Sequence, residues 1–173
     1  YNLNVSKPEP PVTRDCIHEV SGRLNETGLE VAPLDEDEVR RAVLALRKTG
    51  VGAIAICFMH SYANPAHEEA ARAIVREMWS EVFVCTSTDV LREFREFERF
   101  SSASVNASLL PVIDQYLEKF SAGLQSIGVI PAPLVMQSNG GSVSVATVRR
   151  APINTFLSGP AGGVVAAANL AKE

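Results

Sequence analysis

Val51-Gly-Ala-Ile-Ala-Ile-Cys-Phe58 is the stretch on which the fold turns. It is apolar almost without interruption, so it lacks the alternation of a strand with one wet face and reads as a central strand covered by helices on both sides. Upstream, Asp35 followed by Glu38 forms a capping-box pattern, and Leu34 is placed to staple against Val39. Val39, Ala42, Val43 and Leu46 then recur at helical spacing, Arg47 and Lys48 offset the dipole, and Gly50 is placed for a left-handed cap. The pattern predicts a helix from Glu36 to Thr49. Downstream, Asn64-Pro65 marks a second helix start, with His67, Ala71, Ile74, Val75 and Met78 along one face. Val82 to Thr86 returns as a strand, and this β-α-β-α-β order predicts a parallel sheet in an α/β chain.

Working outward, residues 1–15 are polar and proline-rich and read as an extended linker. Cys16 to Val20 and Gly28 to Val31 read as short strands around a polar loop. After Leu91 a helical face runs through Leu109, Val112, Ile113, Tyr116, Leu117, Phe120 and Leu124. Pro111 bends this helix or restarts it, and Gly128 with Pro131 ends it. Pro133 to Gln137 reads as a strand running into Ser138-Asn139-Gly140-Gly141. Ala146 to Arg150 reads as a short helix and Ile153 to Leu157 as another strand. Ser158-Gly159-Pro160-Ala161-Gly162-Gly163 opens a final small-residue helix through Leu170. The change of character places a subdomain boundary near residues 87–93.

With 46% hydrophobic and 21% charged residues, the 173-residue chain can bury a core. Its 16 Lys and Arg against 20 Asp and Glu, without a concentrated basic stretch, argue against a nucleic-acid partner. No apolar run approaches the roughly 20 residues of a membrane span. Three widely spaced cysteines, Cys16, Cys57 and Cys85, fit a reducing cytoplasm, and neither they nor the three histidines show metal-ligand spacing. The start at Tyr1 and the end at Glu173, inside a running helix, suggest a piece of something longer.

Two glycine segments are the most informative candidates. Ser138, Asn139, Gly140 and Gly141 form one; Ser158, Gly159, Gly162 and Gly163 form the other, which also opens a helix whose first amides lack partners. Their glycines let a phosphate approach the backbone, or serve only for close helix packing. Neither is a P-loop or a dinucleotide fingerprint. In Leu91-Arg-Glu-Phe-Arg-Glu-Phe-Glu-Arg-Phe100, Glu98 and Arg99 either reach a cleft between subdomains, as base and anion holder, or belong to a solvated helix face. His60 lies just past the carboxyl end of the buried strand, where open α/β sheets place their sites, or it caps that strand.

Four motifs in order carry a resemblance: Cys57-Phe-Met-His-Ser-Tyr-Ala-Asn-Pro-Ala-His-Glu68, Glu93-Phe-Arg-Glu-Phe-Glu-Arg-Phe-Ser101 with Val105-Asn-Ala107, Met136-Gln-Ser-Asn-Gly-Gly141, and Leu157-Ser-Gly-Pro-Ala-Gly-Gly-Val-Val165. Together they resemble the hydantoinase A / 5-oxoprolinase family. That resemblance implies a partial ribonuclease-H-like architecture of the actin, sugar-kinase and Hsp70 superfamily, truncated at both ends. Residues 16–90 would end an N-terminal α/β half, and residues 91–173 would begin the second. It further implies ATP- and Mg²⁺-dependent opening of a small cyclic amide by carbonyl phosphorylation, with a hydantoinase B-like subunit or domain as partner. Acetone and acetophenone carboxylase subunits, or a non-catalytic interface, are the alternatives. Both phosphate loops of that superfamily fall outside this chain, so no cofactor is expected on it alone. The resemblance assigns no catalytic base. The amides of the two glycine segments should then face a crevice shared by two lobes rather than a packed interior.

Overall fold

The computed structural model describes residues 9–129 and 131–172. The N-terminal part of the expected linker, residues 1–8, lies outside the described residues. Arg14–Cys16 makes a turn of 3₁₀ helix, and the strand expected from Cys16 to Val20 is absent. The hairpin forms later, between β1 (Arg23–Leu24) and β2 (Glu30–Ala32). The Asn25 side chain organises its turn by accepting from Thr27 N at 3.0 Å and Leu29 N at 2.9 Å. Polar residues read as loop therefore supply one strand, because the Asx-turn at Asn25 sets the reversal nearer the carboxyl end than the β-propensity pattern indicates.

Helix α1 (Glu36–Thr49) has the limits read from its caps. Asp35 Oδ1 accepts from Glu38 N at 2.8 Å, and Gly50 leaves at φ 74°, a conformation that favours glycine. Half of the capping box is replaced, since the Glu38 carboxylate reaches Ser21 N at 2.6 Å and ties the incoming chain to the helix. Strand β3 (Ala53–Ile56), α2 (Ala66–Met78) and β4 (Phe83–Thr86) follow, with β3 and β4 parallel in the register Ala53↔Phe83 to Ile56↔Thr86. The α2 start is held by Asn64, whose Oδ1 accepts from Ala66 N at 3.0 Å.

The sheet is covered on both faces, as the uninterrupted apolar run requires. Ile54 and Ile56 point into a core with Val39 and Val43 of α1 and Ala71, Ile74 and Val75 of α2. Ala53, Ala55, Phe83 and Cys85 meet Ala107 and Leu110 on the other side. Each fully buried aliphatic side chain contributes about 1.5–3 kcal/mol, so this sandwich dominates the stability.

A short helix α3 (Ser87–Val90) follows β4 directly, capped reciprocally by Thr86 and Asp89. The second covering layer comes from α4 (Glu96–Ser126), one helix of 31 residues running through Pro111. Beyond Gly128, β5 (Leu134–Met136) and β6 (Ser142–Ser144) form an antiparallel hairpin, and α5 (Val145–Arg150) starts on a Ser144 cap. The strand expected from Ile153 to Leu157 is a 3₁₀ turn, Pro152–Thr155. Proline at its first position fixes a helical φ, and the buried Asn106 carboxamide accepts from Ile153 N at 3.2 Å, which together override the β-prone composition. Helix α6 (Ser158–Leu170) closes the chain with no buried residue. Among the described residues no helix is long and apolar enough to cross a membrane.

Candidate functional site

The carboxyl ends of β3 and β4 converge on a buried polar cluster. Glu68, in the first turn of α2, and Arg99, in the first turn of α4, are both fully buried. The Glu68 carboxylate accepts from Phe58 N at 3.0 Å, from Thr88 N at 3.1 Å, from Thr88 Oγ1 at 3.0 Å and from the Ser87 hydroxyl. Arg99 donates to Ser87 Oγ at 2.8 Å and to Phe58 O at 3.0 Å, and its Nη1 lies 3.8 Å from Glu68 Oε1. Four separate pieces of chain are fastened at one point. Such a charge pair is tolerated in a dry interior only because backbone and hydroxyl groups satisfy nearly every lone pair and proton around it.

His60 takes the left-handed backbone, φ 59°, which is uncommon without glycine, and its carbonyl accepts from Ala63 N and Asn64 N. Its ring stands edge-on to Tyr62, 5.9 Å between centroids, and Arg99 Cζ lies 5.8 Å from the same Tyr62 ring. The structure thus brings His60 and Arg99 together through Tyr62. It does not bring Glu98 there. Glu98 is exposed and pairs with Arg95 at 3.5 Å, while Arg99 reaches no surface. Burial, with the Glu68 charge adding to it, pushes the Cys57 thiol upward, and burial pushes Cys85 up to about 11. Neither is poised as a nucleophile.

The two glycine segments also meet. Ser138 is the joint: its N–H and its hydroxyl both donate to Asn154 O at 2.7 Å, and its Oγ accepts from Leu157 N at 3.3 Å, one residue ahead of α6. Gly140, at φ 84°, sits where an added Cβ would lie 3.0 Å from Val165, and Gly162 faces Met136 at 3.8 Å. Ser158, Gly159, Gly162 and Gly163 open α6 as the sequence indicated, but the helix follows a 3₁₀ turn instead of a strand. The Ser138–Gly141 segment is a hairpin turn that uses its own amides: Gly140 N donates to Gln137 O and Gly141 N to Asn139 Oδ1. Both segments lie at the surface, and Gly159 and Gly163 have open space where a side chain would be.

Two residues of this arrangement were hidden in the sequence. Asn106, fully buried, donates to Arg150 O at 3.1 Å and holds Ile153 N, so it connects α4 to the segment that carries Ser138's partner. It lies seven residues beyond Arg99, roughly 10 Å along the same face. Glu68 could have been found from spacing, because 68, 71 and 75 form an i, i+3, i+7 stripe and place a carboxylate on the apolar face of α2.

As a holder of phosphate, the geometry fits at one place. The Ser158 and Gly159 amides precede the first intrahelical bond of α6, Ala161 N to Leu157 O, and no acidic residue stands in that turn. Among the described residues no group of three His, Cys, Asp or Glu is placed to hold a metal ion.

A three-layered unit, with helices on both faces of a parallel pair of strands and one long helix leading to an exposed pair of glycine segments, defines a protein of the α/β class. The hydantoinase/oxoprolinase N-terminal region matches residues 1–79 and the hydantoinase/oxoprolinase domain matches residues 99–173. The chain belongs to the hydantoinase/oxoprolinase family. It superposes on the crystal structure of an ATP-dependent caprolactamase from Pseudomonas jessenii with a TM-score of 0.86 and 35% identity, over 93% of this chain and 23% of that one. It is 33% identical to the acetophenone carboxylase gamma subunit of Aromatoleum aromaticum, over 97% of this chain and 23% of that subunit. Identity to the 5-oxoprolinase of Saccharomyces cerevisiae is 34%, over 91% of this chain and 12% of that protein. The chain therefore spans about a quarter or less of the relatives it matches.

Proposed function

We propose that this chain is part of an ATP-dependent hydrolase that opens a cyclic amide. In this reading residues 16–90 end the N-terminal half, residues 91–173 begin the second, and the two glycine segments line the cleft between them. The observation that carries the reading is Ser138, which locks the hairpin turn to the start of α6 and leaves the Ser158 and Gly159 amides clear. The caprolactamase and 5-oxoprolinase relatives support the choice of substrate class. Bound ATP would supply a phosphoryl group, making the unreactive lactam carbonyl a better electrophile. Ser158 and Gly159 would donate to a phosphoryl oxygen, with the positive end of α6 favouring its charge. Mg²⁺ would have its ligands elsewhere in the protein. Caprolactamase and acetophenone carboxylase relatives named as subunits alpha and gamma support a partner subunit, which in this reading is of the hydantoinase B type.

The second reading, an ATP-handling carboxylase subunit, is favoured by the acetophenone carboxylase relative. The test is an assay of the whole protein with its partner subunit on caprolactam, 5-oxoproline, hydantoins and ketones. ATP-dependent ring opening is the expected result. Bicarbonate-dependent consumption of a ketone without ring opening would replace the first reading by the second.

A further inference from the structure

Asn106 is a fully buried carboxamide on a helix face whose neighbouring positions, Ala103, Ala107 and Leu110, are apolar core. Both ends of that carboxamide are spent on one reversal of the chain. Its Nδ2 donates to Arg150 O at 3.1 Å, on the last residue of α5, and its Oδ1 accepts from Ile153 N at 3.2 Å, in the 3₁₀ turn that follows. These are end groups of two short helices, which their own helices leave unbonded, and Pro152 between them has no N–H to offer. An apolar side chain at position 106 would deprive both of this partner.

From that turn an unbroken series of hydrogen bonds runs to the start of α6. Asn154 N donates to Ala151 O at 3.2 Å, and Asn154 O accepts from both Ser138 N and Ser138 Oγ. Ser138 Oγ in turn accepts from Leu157 N, directly before Ser158. Packing contributes little to the direction of this end of the helix. No residue of α6 is buried, and its approaches to the hairpin, Val165 at Gly140 and Gly162 at Met136, lie past the first turn. The first turn is therefore aimed chiefly by the polar series that begins at Asn106.

We infer that Asn106 is a positioning residue. Through the turn at residues 150–154 and through Ser138 it sets the direction of the Ser158 and Gly159 amides. The consequence for ATP rests on the reading above, in which those amides hold a phosphoryl oxygen. A donor turned away from its acceptor weakens steeply below about 120°, so a small rotation of the first turn of α6 is enough to lose both bonds. Asn106 is bonded to the turn and not to α6, so its effect on the nucleotide passes through Ser138.

The experiment uses the whole protein with its partner subunit. Asn106→Ala removes the first link and Ser138→Ala the second, and Ile74→Ala, in the core away from the series, controls for lost stability alone. Each of the first two should lower kcat/KM for ATP at least about tenfold while KM for the ring substrate stays unchanged, and Ile74→Ala should keep both values. Because the two act through one series, the double variant should be no more than about twofold worse than the worse single. Asn106→Asp keeps the shape and the acceptor for Ile153 N but loses the donor to Arg150 O; it is held to the same outcome should Asn106→Ala fail to fold. Hydrogen exchange at residues 155–163, measured without ATP, should quicken in the variants at both positions while β3 and β4 keep wild-type protection. Unchanged exchange at residues 155–163 overturns the positioning role. Additive losses of about a hundredfold in the double variant, or an equal loss in Ile74→Ala, overturn it as well. Ring opening by the unaltered protein without ATP overturns the phosphoryl reading instead, and the exchange result then decides the positioning role by itself.

Discussion

The segment from Arg23 to Leu110 and the segment from Leu134 to Leu170 are built on opposite terms. In the first, a two-stranded sheet is sealed between α1 and α2 on one face and α4 on the other, with a charge pair sunk into its strand ends. In the second, a short hairpin and an uncharged helix rest on a few hydrogen bonds. Helix α6 buries no residue, and Val164 and Leu170 are 69% and 71% exposed. The first segment buries its apolar side chains against one another; the second leaves most of those on α6 open to solvent. Its glycines leave the backbone of α6 uncovered.

The sharpest break in this contrast is at the buried pair. Removing one partner with Arg99→Ala leaves Glu68 charged and dry, and should cost about 3–5 kcal/mol in urea unfolding. A loss below about 1 kcal/mol would mean that the backbone donors at Phe58 and Thr88 suffice without the guanidinium. Next in size, Ile74→Ala in the core should cost about 2–5 kcal/mol, whereas Val164→Ala in α6 should stay within about 0.5 kcal/mol. Equal losses at the two positions would erase the distinction.

What the sequence disclosed follows the same division. Helix α1 was legible to its last residue because Asp35 and Gly50 are local signals acting on their own backbone. The double coverage of β3 was legible because both faces are apolar. The strand expected over Ile153–Leu157 failed because its conformation is decided by Asn106, forty-seven residues away. Arg99 and Glu98 are neighbours in an evenly charged run, and nothing local says that one is fully buried while the other pairs at the surface with Arg95. The partner that decides it, Glu68, lies on a different helix. The sequence marked both glycine segments, Ser138 included, as candidates but not the contact Ser138 makes between them, since a hydroxyl bridging residues sixteen and nineteen positions away has no local pattern.

Smaller effects sharpen the comparison further. Gly140→Ala sets a Cβ at φ 84° and 3.0 Å from Val165, and should cost about 1–2 kcal/mol and loosen α6 from the hairpin. Gly163→Ala, with open space around it, should change unfolding stability little or raise it slightly. Cys85, raised by burial to about 11, should resist iodoacetamide at pH 8 until the chain unfolds. Because its folded pKa lies above the ordinary 9.0, its contribution to stability is complete below pH 9 and is lost as the pH rises toward 11.

Residue-resolved hydrogen exchange on the 173-residue chain tests the central contrast most directly. The account predicts that amides of β3, β4, α2 and the first turns of α4 exchange only through global unfolding, while those of α6 exchange orders of magnitude faster by local opening. Protection in α6 equal to that of β3 would contradict it.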